Sequence, residues 1–212
     1  MAKGIFITME GPDGSGKTTQ IELLKESLED KGYEVLITRE PGGNRISEAI
    51  REIILNKDYK EMSPSAECLL YASARAQLVS EVIGPMLDKG GAVISDRFVD
   101  SSLVYQGIAR GLGVDNVFQL NKFAINEYMP DVTFLLTLPA EVGIARKKDQ
   151  KELDRMEQES LDFHRKVAEG YDSLAELFPD RIQVIDARQD IETISGLIKK
   201  RVYDILDGKV SV

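Results

Sequence analysis

Gly11-Pro12-Asp13-Gly14-Ser15-Gly16-Lys17-Thr18 is the stretch that decides how this chain folds. It fits G-x-x-x-x-G-K-[ST], a pattern with a mechanism behind it. Glycines let the backbone curl until its N–H groups point inward, where they cradle phosphate oxygens. Lys17 adds a point charge for the β and γ phosphates of a nucleotide, and the Thr18 hydroxyl can ligate Mg²⁺. The helix that opens here directs its positive end at the same anion. Such a cradle needs a strand before it and a helix after it. Residues 3–9 are short, apolar and β-rich, and residues 17–31 set Ile21, Leu24 and Leu28 on one helical stripe that Gly32 stops.

Outward from the cradle the same alternation continues. Strand patterns fall at 34–38, 92–95, 132–138 and 181–185. Helical patterns fall at 46–55, 65–88, 115–128 and 191–206, with a polar helical region from 140 to about 178. Strands that are apolar on both faces and separated by helices predict a parallel sheet covered on both sides, a three-layer α/β fold of about five strands. Neither an internal repeat nor a low-complexity linker divides the chain, so residues 1–212 are expected to form a single domain. Residues 146–155 read Arg-Lys-Lys-Asp-Gln-Lys-Glu-Leu-Asp-Arg and interrupt the amphipathic pattern with dense charge.

Composition narrows the partners. The formal net charge is -9, from 36 acidic and 27 basic residues. A nucleic-acid polymer or an anionic membrane requires a broad positive face, so neither is expected. A small anionic ligand needs only a local cluster of donors. The one cysteine, Cys68, precedes the apolar run Leu69-Leu70-Tyr71 and is expected to be a buried, inert thiol in a reducing compartment. The opening Met-Ala-Lys-Gly turns straight into a strand without the apolar core of a secretory leader, and no stretch approaches a membrane helix. The expectation is a soluble, cytoplasmic protein.

A phosphate cradle alone does not separate kinases from nucleotide switches. A switch of the GTPase kind would carry Asn-Lys-x-Asp after a late strand. Asn56-Lys57-Asp58 has the wrong spacing and follows a helix, while Asp88-Lys89-Gly90-Gly91 precedes a strand. The remaining motifs resemble one family, the thymidylate kinases. They are Thr38-Arg39-Glu40-Pro41-Gly42-Gly43 after the second strand, Leu70-Tyr71-Ala72-Ser73-Ala74-Arg75-Ala76-Gln77 on the long helix, and Ser95-Asp96-Arg97-Phe98 at the end of the third strand. Residues 101–107, Ser-Ser-Leu-Val-Tyr-Gln-Gly, and 152–157, Glu-Leu-Asp-Arg-Met-Glu, complete the set in order along nearly the whole chain.

The resemblance implies a P-loop kinase with strand order 2-3-1-4-5, helices on both faces and a small helical lid at about 143–157. The implied reaction moves the γ-phosphoryl of MgATP to dTMP, giving dTDP and ADP. Alternatives are a kinase for another nucleoside monophosphate or a deoxynucleoside, or a nucleotide switch. ATP would be held by Gly11, Asp13, Gly14, Ser15, Gly16, Lys17, Thr18 and Thr19, with Mg²⁺ near Thr18 and Asp96. Asp13 resembles the carboxylate that reads the sugar 3′-hydroxyl, and Arg39 and Arg97 resemble the arginines that clamp the acceptor phosphate. Guanidinium suits that task because its paired donors match phosphate oxygens. Tyr71 resembles the aromatic that stacks on thymine, Arg75 the donor to a thymine carbonyl, and Tyr105 the residue whose bulk excludes a ribose 2′-hydroxyl. Gln106 is a further polar candidate at the base, and the same motifs bring Glu40 and Ser101 to the substrate side. His164, the only histidine, is expected on the solvated surface. The family resemblance also carries a homodimer.

One departure concerns the cation for the transferring phosphoryl group. Some family members carry an arginine inside the P-loop, where this chain has Gly14. The bacterial branch often supplies one from the lid, five residues before the Leu-Asp-Arg arginine, where this chain has the neutral Gln150. The candidates left are Arg146, Lys147, Lys148, Lys151 and Arg155, with Arg155 and Arg146 preferred because a planar guanidinium bridges two phosphate oxygens.

Overall fold

The computed structural model of the protein describes residues 4–139, 141–142 and 154–208. Its centre is a parallel five-stranded sheet in the order β2-β3-β1-β4-β5. The strands are β1 (Ile5–Glu10), β2 (Val35–Arg39), β3 (Ala92–Asp96), β4 (Val132–Thr137) and β5 (Ile182–Asp186). Every residue of β1 is buried, as a central strand covered on both faces must be. Ile5, Ile7 and Met9 face α1 (Lys17–Glu29) and the last helix, Ile191–Leu206. Phe6 faces the opposite way, into a core shared with Val93, Leu135 and the helices of the other side. The two-residue period of the strand therefore feeds two separate cores.

In-register pairing decides where the chemistry sits. Arg39 pairs with Asp96, Met9 with Asp96, and Glu10 with Leu135. The carboxyl ends of β1, β2 and β3 thus bring Glu10, Arg39 and Asp96 to one rim, where open α/β sheets bind ligands.

The helices follow the sequence patterns closely, with informative exceptions. α2 is Arg45–Leu55, capped by Asn44. The predicted helix 65–88 is continuous but not uniform: α3 (Pro64–Leu78) widens into a π segment, Val79–Ile83, and resumes as α4 (Gly84–Asp88). Pro85 supplies the reason. It has no N–H to donate, and its ring would press on the carbonyl four residues back. The wider turn, with Gly84 N–H donating to Val79 O, relieves that clash.

A second irregular helix has no counterpart among the predicted elements: α5 (Val99–Ser102) running into a π segment, Leu103–Ala109. It is buried on almost every side, so it carries no amphipathic stripe. α6 spans Val114–Ile125 and stops short of Tyr128, because Asn126 turns into the left-handed region at φ 52°. α7 is Leu161–Leu177, capped by Ser160, and α8 is Ile191–Leu206, capped by Asp190. Within the polar helical region expected from 140 to about 178, residues 141–142 are helical, residues 155–158 form turns, and helix resumes at Leu161. Of the predicted lid, 143–153 lie outside the described residues, Arg146, Lys147, Lys148, Gln150 and Lys151 among them.

Candidate active site

The loop after β1 is shaped by glycine. Gly11 has φ 129°, and a Cβ there would lie 2.3 Å from the carbonyl oxygen of Leu136. Gly16 has φ 93° and forms the N-terminal boundary of α1. Lys17, the first residue of that helix, is buried and folds its ammonium back onto the loop, donating to Gly11 O and Pro12 O, each at 3.2 Å. The same nitrogen lies 3.9 Å from Asp13 and 4.0 Å from Asp96. Burial, with the Arg97 charge second, brings Lys17 down to about 8. Ser15 Oγ is buried without a hydrogen-bond partner among the described residues. Gly14, Thr18 and Thr19 are exposed at the mouth of the loop.

The donor set here suits Mg²⁺, which prefers oxygen ligands and shares them with phosphates. Asp96 Oδ1 is buried with no hydrogen-bond partner among the described residues, 4.0 Å from Lys17 Nζ. Among the described residues no cluster of three or more His, Cys, Asp or Glu side chains could hold a metal unaided. An ion would therefore rely on nucleotide oxygens with Thr18 and Asp96.

Beside the cradle opens a cavity of about 190 Å³. Asp13, Arg39, Glu40, Tyr71, Arg75, Asp96, Arg97, Ser101, Tyr105 and Gln106 all line it, so the structure gathers every substrate-side residue proposed from sequence around one space. Arg97 is its pivot. Its backbone sits at φ 69°, a strained conformation for a residue with a side chain. From there the guanidinium reaches Asp13 at 2.9 Å, Tyr171 at 3.2 Å and Ser101 at 3.3 Å, and stacks on the Tyr105 ring.

Beneath it lies Glu10, fully buried. It accepts from Phe98 N–H at 2.8 Å, Ser101 N–H at 3.2 Å, Ser101 Oγ at 2.6 Å and Tyr171 OH at 2.7 Å. Burial, then the neighbouring Asp100 carboxylate, pushes Glu10 up against the opposing pull of Arg97.

Several of the expected residues are engaged by partners that the sequence did not indicate. Arg75 does line the cavity, but all five of its N–H groups are spent inside the protein. They go to Glu40, Ser102, Asn121 and the Phe98 carbonyl. No donor remains for a thymine carbonyl in this arrangement; Arg75 forms a wall with Glu40, which burial pushes up to about 7 despite its partner. Arg39 is half exposed and forks onto Glu48 at 2.7 and 3.0 Å, so an acceptor phosphate would have to compete for it.

Arg155 is buried away from the cradle, donating to Ile54 O at 2.7 Å and pairing with Glu67 at 2.7 Å, and it does not line the cavity. It sits between α2 and α3, and residues 143–153 of the lid motif that its expected role belongs to lie outside the described residues. His164 is half-buried: it lines the cavity, with Nε2 buried and without a hydrogen-bond partner among the described residues.

Glu10, Arg51, Glu67 and Tyr171 were missed. Arg51 donates to Pro41 O at 2.8 Å on the cavity wall. Glu10 did carry a signal, a carboxylate ending a strand that is otherwise apolar and buried. Tyr171 and Glu67 lie on helices where ordinary periodicity accounts for them, and only the tertiary fold reveals their partners.

Comparison with known proteins adds an independent line. A family model described as Thymidylate kinase matches residues 9–198. A thymidylate kinase from Geobacillus sp. (strain WCH70) is 49% identical over 98% of this chain and 100% of its own length. Another from Clostridium novyi (strain NT) is 48% identical over 94% of this chain and 98% of its own. Among solved structures, thymidylate kinase from Ehrlichia chaffeensis superposes with a TM-score of 0.75 at 32% identity, covering 95% of this chain and 99% of that one.

Proposed function

The chain belongs to the thymidylate kinase family, and from that premise we infer how its residues divide the work. The enzyme transfers the γ-phosphoryl group of ATP to dTMP, giving dTDP and ADP. One observation carries the assignment of roles: Asp13 of the phosphate loop and Arg97 of the acceptor cavity are joined at 2.9 Å, with Lys17 and Asp96 adjoining. The donor and acceptor sites therefore share a wall, as direct transfer requires.

Lys17 leaves the loop carbonyls to neutralise the β and γ phosphates. Arg97 holds the acceptor phosphate, with Arg39 released from Glu48 to assist. Asp13 and Glu10 keep the Arg97 guanidinium aimed. An acceptor phosphate has its second pKa near ~6, so its attacking oxygen is anionic at neutral pH and needs no strong base. The chemistry then rests on positioning and charge neutralisation, with no covalent intermediate on the protein. Thr18 and Asp96 would hold Mg²⁺, whose charge would offset that of the nucleotide phosphates. Tyr71 stacks on the base and Tyr105 guards the sugar.

A homodimer is part of the same reading. α2, α3 and α6 pack side by side and leave Ile46, Ile53, Leu69 and Phe123 exposed, which supports a second copy as the cover. Among the described residues no helix is long and apolar enough to cross a membrane, and we assign the enzyme to the cytoplasm, where its single buried thiol stays reduced. The deciding experiment is side-by-side turnover of dTMP, dUMP, dCMP, AMP and thymidine with MgATP. dTMP should lead, with dUMP behind by about 10–200-fold, the worth of one methyl in an apolar pocket. Faster turnover of thymidine or AMP would overturn the acceptor assignment.

A further inference from the structure

Glu67 lies on α3 with 1% of its surface exposed, just behind the cavity wall. Its Oε1 accepts from Gln106 Nε2 at 2.8 Å and from Arg110 Nε at 3.2 Å. Its Oε2 accepts from Arg110 Nη2 at 3.0 Å and faces Arg155 Nη2 at 2.7 Å. Three N–H groups thus donate to the carboxylate, and the Arg155 guanidinium adds a fourth contact as a close ion pair. Burial pushes Glu67 up, but the hydrogen bonds from Arg110, Gln106 and Arg155 outweigh it and hold the carboxyl below its ordinary value.

The consequence falls on Gln106. An ionised carboxylate only accepts hydrogen bonds, so the amide beside it must turn its NH₂ group towards Glu67. Gln106 is 1% exposed and is itself a wall residue of the cavity. With Nε2 committed, Oε1 is the end left for the nucleotide, and no donor among the described residues engages it. An amide oxygen accepts from the N3–H of thymine or uracil. It meets the N3 lone pair of cytosine with repulsion, and such an unpaired buried contact discriminates far more strongly than a missing methyl.

We propose that Glu67 is a positioning residue for base selection: it locks the Gln106 amide with its carbonyl oxygen towards the cavity, and so admits pyrimidines that carry a hydrogen at N3. This rests on the dTMP reading of the same cavity. Arg110 and Arg155 take part by keeping Glu67 charged, and Arg110 is in turn held by Glu159 at 2.6 Å.

Glu67→Gln tests it, because a neutral amide can donate or accept and so frees Gln106 to flip. Steady-state kcat and KM are measured for dTMP and dCMP at saturating MgATP. The dTMP-to-dCMP ratio of kcat/KM should fall at least tenfold, mainly through KM. In a Gln106→Ala background the same change should move that ratio less than twofold, because the intermediary is gone. A lower melting temperature with an unchanged ratio would make Glu67 a structural tie and overturn the proposal, as would additive effects in the double variant. Should Glu67→Gln fail to fold, the parent answers by NMR. The Gln106 side-chain NH₂, assigned with Gln106→Ala, should stay protected from solvent exchange with and without dTMP. Exchange within the dead time would refute the lock. A parent enzyme that does not turn over dTMP at all would sink the functional reading instead.

Discussion

Replacing Arg97 by glycine and by alanine separates two things that the residue does. Both changes remove the guanidinium, so both lose the contacts to Asp13, Tyr171 and Ser101 equally. They differ in the backbone. At φ 69° an L-residue carries roughly 1–2 kcal/mol of steric cost that glycine does not. Glycine forfeits about 0.5–1 kcal/mol through the greater freedom of its unfolded chain. The balance leaves Arg97→Gly about 1 kcal/mol more stable than Arg97→Ala, or ~2–4 °C in melting temperature for a chain of this size. Thermal unfolding followed by circular dichroism reads that difference. Turnover of dTMP should fall about a hundredfold or more in both, because a charge aimed at the phosphates is gone. Equal melting temperatures would mean that the left-handed turn stores no strain. A glycine variant with parental turnover would mean that the guanidinium is not the phosphate clamp.

Lys17→Ala should abolish transfer while the fold survives, since its charge serves phosphates rather than the core; near-parental turnover would refute the cradle. The native Lys17 value of about 8 lies below the ordinary 10.5, so between those pH values the unfolded chain binds more protons than the native one. The stability contributed by this group therefore rises with pH across that window, while ATP affinity, which needs the ammonium, falls as pH climbs past about 8. Calorimetric titration of ATP at several pH values should show this fall in the parent and not in Lys17→Ala. Tyr105→Phe should still reject the ribose 2′-hydroxyl and Tyr105→Ala should admit it, measured as turnover of the ribonucleotide analogue of dTMP. Arg155→Ala should lower stability by roughly 2–3 kcal/mol, less than the ~3–5 of an orphaned buried pair because Arg110 stays on Glu67. Its kcat should change less than tenfold; a hundredfold loss at unchanged melting temperature would return Arg155 to the transferring phosphoryl group.

The sheet was legible because strands buried on both faces leave a plain mark: Ile5 to Met9 and Val132 to Leu136 are unbroken apolar or small-hydroxyl runs. The cradle was legible because its geometry tolerates few residue types. The helix Val99–Ala109 was not, since a segment buried all round has no stripe to read. Arg75 and Arg155 show the other limit. A motif indicates that a guanidinium is present, while the direction of its donors depends on Glu40, Asn121, Ile54 and Glu67, residues that meet it only in three dimensions. His164 shows the same in reverse, a polar residue in a charged helix that the fold turns inward.

The widened helical segment Leu103–Ala109 sets stability and function against each other. A π turn holds one residue more than a regular turn, and deleting one residue there would let the backbone close into ordinary α-helix with better hydrogen bonds. The backbone bows outward where the extra residue is held, and removing it would draw that bow in while the helix on either side kept its register. Tyr105 and Gln106 lie inside that bow, and without it they could no longer face the cavity together. The shortened chain would be the easier one to fold and the one without a base pocket. Drift towards a tidier helix is open to this lineage at every generation, and only the need to bind nucleotide opposes it.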